Sequence, residues 1–219
     1  MLTLELHSHT HASGDCLMRP ADIIRTCQRK GITKLAVTDH NTLRGALEMQ
    51  ALAPELVIIG EEIMTTQGEL LGYFLKEEIP PKLSPIETIA RLRAQGAAIS
   101  VSHPFDRLRK GAWRESDLAA ILELVDAIEV FNARCIFSED NARALAFARA
   151  HNKPGTVGSD AHAHIELGQA SLSLARAGNS AELIAGFSEG QPRTRLSSPL
   201  IHFTSTFAKH WKRLKRLQI

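Results

Sequence analysis

The chain has 219 residues, of which 44% are hydrophobic and 23% are charged, and this ordinary globular composition suits one sizeable domain. Its formal net charge of +2 is too small to indicate a nucleic-acid-binding protein by itself. The cysteines Cys16, Cys27 and Cys135 show no paired spacing, so we expect a reducing compartment and no disulfide framework. With no signal-peptide pattern and no apolar run of about 18 residues, we expect a cytoplasmic protein without a membrane span.

Short apolar segments recur along the chain and are predicted to be strands. The first begins with Leu2, Leu4 and Leu6, which alternate with polar residues in the two-residue period of a strand. The predicted strands are 2–7, 34–38, 56–63, 69–75, 97–102, 126–131 and 155–158. The segment "TTQG" at 65–68 predicts a hairpin, so the fourth strand should run antiparallel to the third.

Helical segments separate most of these strands. Pro20 lies near the first turn of one such segment, "RPADIIRTCQRKG". In "SPIETIARLRAQG", Ser84 is predicted to be the N-cap and Glu87 to complete a capping box. Two further capped helices are predicted from Ser116 and Ser138. Because strands alternate with helices, the sequence predicts a parallel sheet, either open or closed into a barrel.

Polar side chains stand at an end of every predicted strand. They are His7, His9, Asp15, Asp39, His40, Glu61, Glu62, Glu69, His103, Asn132, Arg134, Asp160 and His162. A single His-x-His is as compatible with a solvated strand end as with a metal site. Because the carboxyl ends of strands form the functional face of α/β folds, the joint placement predicts a polynuclear metal site. Mixed imidazole and carboxylate ligands suit zinc, manganese or iron(II).

Five ordered motifs, "LHSHTHASGD", "TDHN", "GEE", "SHP" and "GSDAH", resemble those of the PHP (polymerase and histidinol phosphatase) phosphoesterase family. The resemblance covers about residues 1–165 and is specific, because the motifs recur in the family's order. It implies an α/β fold, a distorted (β/α)7 barrel of PHP type. It also implies a metal-dependent phosphoric ester hydrolase with a trinuclear site, for which we expect two to three divalent ions of zinc, manganese or iron.

The resemblance also implies a ligand set. The predicted metal ligands are His7, His9, Asp15, His40, Glu62, Glu69, His103, Asp160 and His162. His7 and His9, together with Glu62 and Asp160, resemble the ligands of a first metal. Glu62 would bridge this metal to a second one that His103 holds.

The remaining predicted ligands would complete the sites of the second and third metals. Asp15, His40 and His162 resemble the ligands of the third metal. Glu69 stands where family members often have a histidine, and it is expected to complete the second site as a carboxylate. This residue is the one departure from the family's pattern among the predicted ligands.

The ligand set suits attack on a phosphate ester. Three divalent ions would bring six positive charges and the four predicted carboxylates would return four, which leaves a centre that attracts phosphate. A hydroxide that bridges two metals would attack phosphorus in line. Arg134 is expected to hold phosphate oxygens through its planar guanidinium, with Arg107 and Arg109 as neighbouring alternatives. The predicted catalytic residues are Glu62, Asp160, His162 and Arg134.

The tail "KHWKRLKRLQI" holds five of the 26 lysine and arginine residues. Trp211, Leu214 and Leu217 give this tail an apolar stripe. We expect residues 1–200 to form a single barrel domain and residues 201–219 to form a basic C-terminal helix packed on it. A role of this tail at a membrane surface or on nucleic acid stays open.

Three functional classes compete for this sequence. The ligand set favours a phosphoesterase. A deaminase or amidase of the amidohydrolase type also begins with His-x-His, but it would need a metal-bridging lysine where Glu62 stands. A non-catalytic metal or nucleic-acid binding module would show a degraded ligand set. The longest gap, residues 104–125, has no room for an inserted domain, so a phosphorylated small molecule, a nucleotide and the end of a short nucleic acid all remain candidate substrates.

Overall fold

The computed structural model describes residues 1–216, in which nine strands form one sheet. The strands are β1 (Leu2–Glu5), β2 (Lys34–Val37), β3 (Val57–Met64), β4 (Glu69–Tyr73), β5 (Ala98–Val101), β6 (Ala127–Asn132), β7 (Gly155–Gly158), β8 (Ala170–Leu174) and β9 (Gln191–Thr194). Their order across the sheet is β7-β6-β5-β4-β3-β2-β1-β8-β9. The first seven strands therefore follow one another in both sequence and space.

Seven α-helices accompany the strands in this part of the chain. They are α1 (Pro20–Lys30), α2 (Arg44–Leu52), α3 (Pro85–Ala94), α4 (Glu115–Ile121), α5 (Ser138–Ala150), α6 (Ser180–Glu189) and α7 (His202–Arg216). Short 3-10 turns occupy Leu122–Leu124 and Pro199–Ile201. Among the helices of residues 1–216, none has both the length and the apolar character needed to cross a bilayer.

The sheet curls into a nearly closed, distorted barrel. Strands β1, β2 and β3 are parallel, and so are β5, β6 and β7. Strand β4 runs antiparallel to both of its neighbours, as the predicted hairpin requires. A bridge between Ser8 and Ala161 joins the segment that follows β1 to the segment that follows β7, and His9 N donates to Ala161 O at 3.0 Å. The predicted α/β barrel of PHP type with a C-terminal helix is confirmed.

Several elements differ from the sequence predictions. Helices α2 and α6 and strands β8 and β9 were not predicted. Strand β9 is exposed throughout and contains Pro192, so it carries no apolar period that a sequence pattern could show. Strand β1 ends at Glu5 rather than at residue 7, and the chain beyond it contacts both sides at Ser8, which bridges to Ala161 and accepts from Thr38 N at 2.8 Å.

The predicted serine N-caps are correct at one site and shifted at two. Ser84 caps α3, accepting a hydrogen bond from Glu87 N at 3.2 Å. Neither Ser116 nor Ser138 is an N-cap, because both lie inside their helices, and the side chains at the caps of α4 and α5 make no capping hydrogen bond. Acidic residues in the first turns of both helices complement the helix dipole instead.

A buried cluster takes one side chain from each strand of the barrel. These side chains are Leu4, Ala36, Ile58, Leu71, Ala98, Ala127 and Val157. Each buried leucine, isoleucine or valine stabilises the fold by roughly 1.5–3 kcal/mol. Two further clusters pack the surrounding helices against the strands. The barrel is therefore a filled core that supports the polar residues at the ends of its strands.

Helix α7 is the basic C-terminal helix, and it packs on the barrel. Ala208 is buried on its inner face, and Ser205 accepts a hydrogen bond from Arg134 Nη2 at 2.6 Å. Trp211 and Leu214 of the predicted apolar stripe are exposed, whereas Leu217 lies outside the described residues.

Candidate metal centre

Histidine and carboxylate side chains from different strands converge at the carboxyl end of the barrel. In three overlapping groups, the potential ligand atoms all lie within 4.8 Å of one another. The groups are His7 with His9 and Glu62, His9 with His40 and His162, and His40 with Glu62 and Glu69. These groups contain six of the nine predicted ligands. The other three, which are Asp15, His103 and Asp160, adjoin them.

Glu62 lies at the centre of this cluster. Its Oε2 atom is 3.3 Å from His7 Nε2 and 3.5 Å from His9 Nε2. The same atom is 2.9 Å from His40 Nδ1, and Oε1 is 3.0 Å from His103 Nε2. Burial opposes ionisation of Glu62, but the surrounding imidazoles outweigh it and hold the pKa well below its usual value. A carboxylate that faces four imidazoles suits the bridging role that the resemblance implies.

Two aspartates complete the cluster. Asp160 Oδ1 is 3.1 Å from His9 Nε2. Asp15 Oδ1 is 3.2 Å from His162 Nε2, and Asp15 Oδ2 is 3.6 Å from His40 Nε2. Asp160 adopts a φ of 52°, a left-handed conformation that aspartate tolerates better than most residues. His162 lies between the two aspartates, because its Nδ1 atom is 3.4 Å from Asp160 Oδ1.

Glu69 enters the cluster from the start of β4. Its Oε2 atom is 3.5 Å from His103 Nε2, and its Oε1 atom is 3.9 Å from His40 Nδ1. A Cβ atom at Gly111 would lie 2.2 Å from Glu69 Oε2, so a side chain there would displace the carboxylate. Burial and the neighbouring Glu62 carboxylate raise the pKa of Glu69. A bound cation would relieve this repulsion, and the predicted ligand role of Glu69 stays a prediction.

The imidazoles differ in their electrostatic surroundings. Burial, together with the nearby His162 and His40, lowers the pKa of His9 well below its usual value. Burial also disfavours charge on His7, but the facing carboxylates, Glu62 first among them, raise its pKa well above the usual value. Metal ligation requires the neutral imidazole. Divalent ions at this site would therefore compete with protons for His7 and would meet a deprotonated His9.

Glu129 supports the cluster from β6 and was not predicted. Its Oε1 atom is 3.0 Å from His7 Nδ1, while its Oε2 atom accepts from His103 N at 2.9 Å and from Asn132 Nδ2 at 3.1 Å. A Cβ atom at Gly158 would lie 2.3 Å from Glu129 Oε1, so glycine is needed for this close approach. A carboxylate bonded to Nδ1 directs the Nε2 atom of His7 toward a metal. The one feature of the sequence that could have indicated Glu129 is its position as a lone acidic residue inside an apolar strand.

Replacing Glu129 with glutamine is expected to weaken metal binding about 10- to 100-fold. Both carboxylate oxygens accept hydrogen bonds, and glutamine offers only one acceptor oxygen, so either His7 or the His103 backbone loses its partner. Competition with a chromophoric chelator measures the affinity for Mn²⁺ and Zn²⁺. The exposed Glu123→Gln variant is the matched control. Equal affinities of the two variants would contradict a positioning role.

A second supporting network holds His9. The Nδ1 atom of His9 is 3.1 Å from Ser13 Oγ, which donates to Asp39 Oδ1 at 2.6 Å. Asp39 also accepts from Thr10 N at 2.7 Å. Asp39, which the sequence places at a strand end, therefore orders the loop after β1 and does not face the cluster itself.

The two candidate arginines occupy different surroundings. Arg134 is buried, and its Nη1 atom lies 3.2 Å from both carboxylate oxygens of Glu166. Glu166 also accepts from His162 N at 3.0 Å, which links Arg134 to the cluster through another side chain. Arg109 instead contacts the Asp160 carboxylate directly. Of the two guanidinium groups, that of Arg109 is the one in contact with a predicted metal ligand.

A cavity of about 820 Å³ opens above the cluster. Asp15, His40 and Glu69 are among its lining residues. Six cationic side chains also line it, and they are Lys82, Arg109, Lys110, Lys209, Lys212 and Arg213. Three of these belong to α7, so the C-terminal helix forms part of the cavity wall. The cationic rim favours an anionic ligand.

Glu61 points away from the cluster, and its Oε2 atom accepts a hydrogen bond from Ile79 N at 3.0 Å. Burial raises its pKa from 4.5 to about 7. The folded state holds the Glu61 proton more tightly than the unfolded state does, so the protonated carboxyl contributes to the free energy of unfolding. This contribution is fully present below about pH 4.5 and is lost as the pH rises through about 7. Glu61→Gln is therefore expected to raise the free energy of unfolding by up to about 3 kcal/mol near pH 8 and by little near pH 5. Denaturant unfolding at both pH values measures this, and an equal change at both would contradict the assignment.

The barrel and the cluster at its carboxyl end are typical of metal-dependent hydrolases. Residues 5–129 match the PHP domain family, and residues 138–192 match the PHP-associated family. Because the first match covers more than half of the chain, the chain belongs to the PHP domain family.

Three known proteins illustrate this relationship. An uncharacterized protein of Methanocaldococcus jannaschii is 42% identical in an alignment 142 residues long, which covers 59% of this chain and 81% of that protein. A two-domain protein from Bacteroides vulgatus with a predicted PHP-like metal-dependent phosphoesterase has a TM-score of 0.71 at 17% identity, covering 89% of this chain and 65% of that one. A lesion-specific endonuclease from Pyrococcus furiosus has a TM-score of 0.60 at 15% identity, and the match covers 90% of this chain and 59% of the endonuclease. The two structural similarities concern the fold alone.

Proposed function

We propose that the protein hydrolyses a phosphate ester with the help of two to three divalent ions of zinc, manganese or iron. The observation that carries this proposal is the set of histidine and carboxylate ligand atoms that face one another around Glu62. Its position at the bottom of a cation-lined cavity adds a reason to expect an anionic substrate.

The donor atoms fit divalent ions. Five buried ligand atoms that face the cluster lack a well-formed hydrogen bond within residues 1–216: His7 Nε2, His9 Nε2, Asp15 Oδ1, Glu62 Oε2 and Asp160 Oδ1. Buried polar atoms of this kind normally have a partner, and imidazole and carboxylate atoms are good ligands for zinc, manganese and iron. When bound, such ions act as Lewis acids and lower the pKa of water to about 7.

The chain's own residues would bind and orient the substrate. We propose that Glu62, His162 and Asp160 would hold the ions together with His9. Arg109 lies at the cluster with its guanidinium on Asp160, and a phosphate entering the cavity would meet this group. Lys209, whose Nζ atom is 3.3 Å from Asp15 Oδ2, would add a second cation at the same edge.

The amidohydrolase alternative finds less support. A bridging lysine would have to stand at the carboxyl end of a middle strand. Among the nine strands described, Lys34 is the single lysine, and it lies at the opposite end of β2 as its first residue. Glu62 occupies the bridging position instead. A phosphate ester therefore remains the better substrate class.

We expect Arg109 to bind the substrate phosphate and Arg134 to stabilise the packing of α7 on the barrel. Arg109→Lys is expected to lower kcat/KM about tenfold or more, because lysine does not supply two parallel donors to a phosphate. Arg134→Lys, which breaks the pairing with Glu166 beneath α7, is expected to lower Tm and to affect kcat/KM less. Steady-state kinetics and thermal unfolding of both variants test this. A larger loss of kcat/KM in Arg134→Lys would return the phosphate-binding role to Arg134.

A substrate screen tests the proposed function itself. A cavity of about 820 Å³ is within the range of small-molecule sites, so the screen should contain phosphorylated small molecules, nucleotides and short single-stranded oligonucleotides. The fold shared with an endonuclease supports the last group. Hydrolysis should stop with a chelator and return with added Mn²⁺ or Zn²⁺. Full activity in protein shown by elemental analysis to be metal-free would exclude the proposed chemistry.

A further inference from the structure

Helix α7 is strongly basic and amphipathic. Its sequence, "HFTSTFAKHWKRLKR", contains five lysine and arginine residues and no aspartate or glutamate. The proposed hydrolysis uses only the cations that line the cavity. The remainder of the helix surface has no role in that chemistry.

The inner face of α7 fixes its orientation on the barrel. Ser205 and Ala208 are buried there, and Ser205 accepts from Arg134 Nη2 at 2.6 Å. Lys212 Nζ donates to the backbone carbonyl of His11 at 2.6 Å. Because these contacts hold the helix from one side, its other side is presented outward.

The outer face of α7 carries a continuous apolar stripe. Phe203, Phe207, Trp211 and Leu214 are 71%, 61%, 45% and 59% exposed. Their spacing of four, four and three residues places them along one side of an α-helix. Leu17, itself 40% exposed, lines a shallow groove together with Phe203 and Phe207 and widens the stripe. Exposed apolar patches of this kind mark an interaction surface.

Cations flank this stripe. Lys215 Nζ lies 5.2 Å from the centre of the Trp211 ring. On a helical wheel, Lys215 falls on one side of the stripe, and Arg213, which also lines the cavity, falls on the other. The arrangement combines an aromatic and aliphatic stripe with basic margins, which is the pattern of helices that lie in a membrane interface.

We propose that α7 docks the protein on the surface of an anionic lipid bilayer. A bilayer surface offers an apolar layer for the stripe and negative headgroups for its basic margins. A second copy of α7 would instead bring a second set of basic margins against the first. A single-stranded nucleic acid could stack on the aromatic rings, but it would leave the exposed Leu17 and Leu214 without an apolar partner. Charge and shape therefore favour the lipid surface.

Vesicle binding by the full chain tests the proposal. The protein should co-sediment with vesicles of phosphatidylcholine and phosphatidylglycerol in equal amounts, and much less with phosphatidylcholine alone. The emission of Trp211 should shift to shorter wavelength on binding, whereas Trp113, the other tryptophan, is already buried. The shift should therefore disappear in Trp211→Phe. Vesicle binding without any such shift in the parent would contradict insertion of the stripe.

Two variants separate the apolar and the electrostatic contributions. Phe203→Ser combined with Phe207→Ser should weaken vesicle binding about tenfold or more, whereas Ile86→Ser, which removes an equally exposed apolar side chain on α3, should not. Lys215→Glu should reduce the preference for anionic vesicles about fivefold or more. The proposal is overturned if the protein ignores anionic vesicles, if the double variant binds them like the parent, or if the stripe instead supports self-association in ultracentrifugation or binding to a single-stranded oligonucleotide.

Discussion

Glu62→Gln is expected to lower kcat by about a thousandfold or more, the largest effect of any single substitution in this protein. The Glu62 carboxylate lies within 3.5 Å of ring nitrogens from His7, His9 and His40. A glutamine retains the shape of the side chain but replaces one ligand oxygen with an NH2 group, which cannot bind a metal. The two ions that Glu62 is predicted to bridge would then lose both their shared ligand and one compensating negative charge.

The neighbouring residue supplies the control for this experiment. Glu61→Gln changes the same functional group one position earlier in β3, where the side chain faces Ile79 rather than the cluster. It should leave kcat within about threefold of the parent. Metal content by elemental analysis should fall in Glu62→Gln only. A greater loss of activity in Glu61→Gln would mean that the bridging role belongs to Glu61.

Glu69→Ala is expected to release one divalent ion and to remove most of the activity. The carboxylate lies 3.5 Å from His103 Nε2 and stands against Gly111, which leaves it little freedom to turn away. Alanine removes both ligand oxygens, so His103 would face the second position without its predicted partner. Elemental analysis together with kinetics at increasing Mn²⁺ and Zn²⁺ concentrations measures both effects.

Two substitutions at the same position separate charge from ligation. Glu69→His should keep the metal and shift the preference toward Zn²⁺, because imidazole is a softer ligand than carboxylate. Glu69→Gln, which preserves shape without charge, should bind metal more weakly than the parent and more tightly than Glu69→Ala. If Glu69→Ala binds metal and turns over substrate like the parent, Glu69 is not a ligand, and water or substrate completes the second position.

Local sequence patterns predicted several secondary-structure elements and the two histidines of the first motif. The alternation around His7 and His9 predicted two imidazoles on one side of a strand end, and the structure brings both to Glu62. The resemblance assigned the second glutamate of "GEE" to the cluster, and in the structure Glu62 faces the histidines while Glu61, its neighbour along β3, points the other way. The hairpin at 65–68 and the capped start of α3 are decided by turn and capping residues a few positions apart. Patterns of this range are visible in the sequence.

Only the tertiary structure decided how distant groups meet. Glu129 bonds His7 across 122 positions of the chain, and no local pattern relates the two. The guanidinium of Arg109 reaches Asp160, whereas that of Arg134 is held by Glu166, although the two arginines looked similar as residues after strand ends. Such pairings depend on the curvature of the sheet and on its closure between β1 and β7. Local propensities act over a few residues, whereas side-chain partners are chosen by the packing of the whole barrel, so the sequence predicted the ligand types and the fold determined their partners.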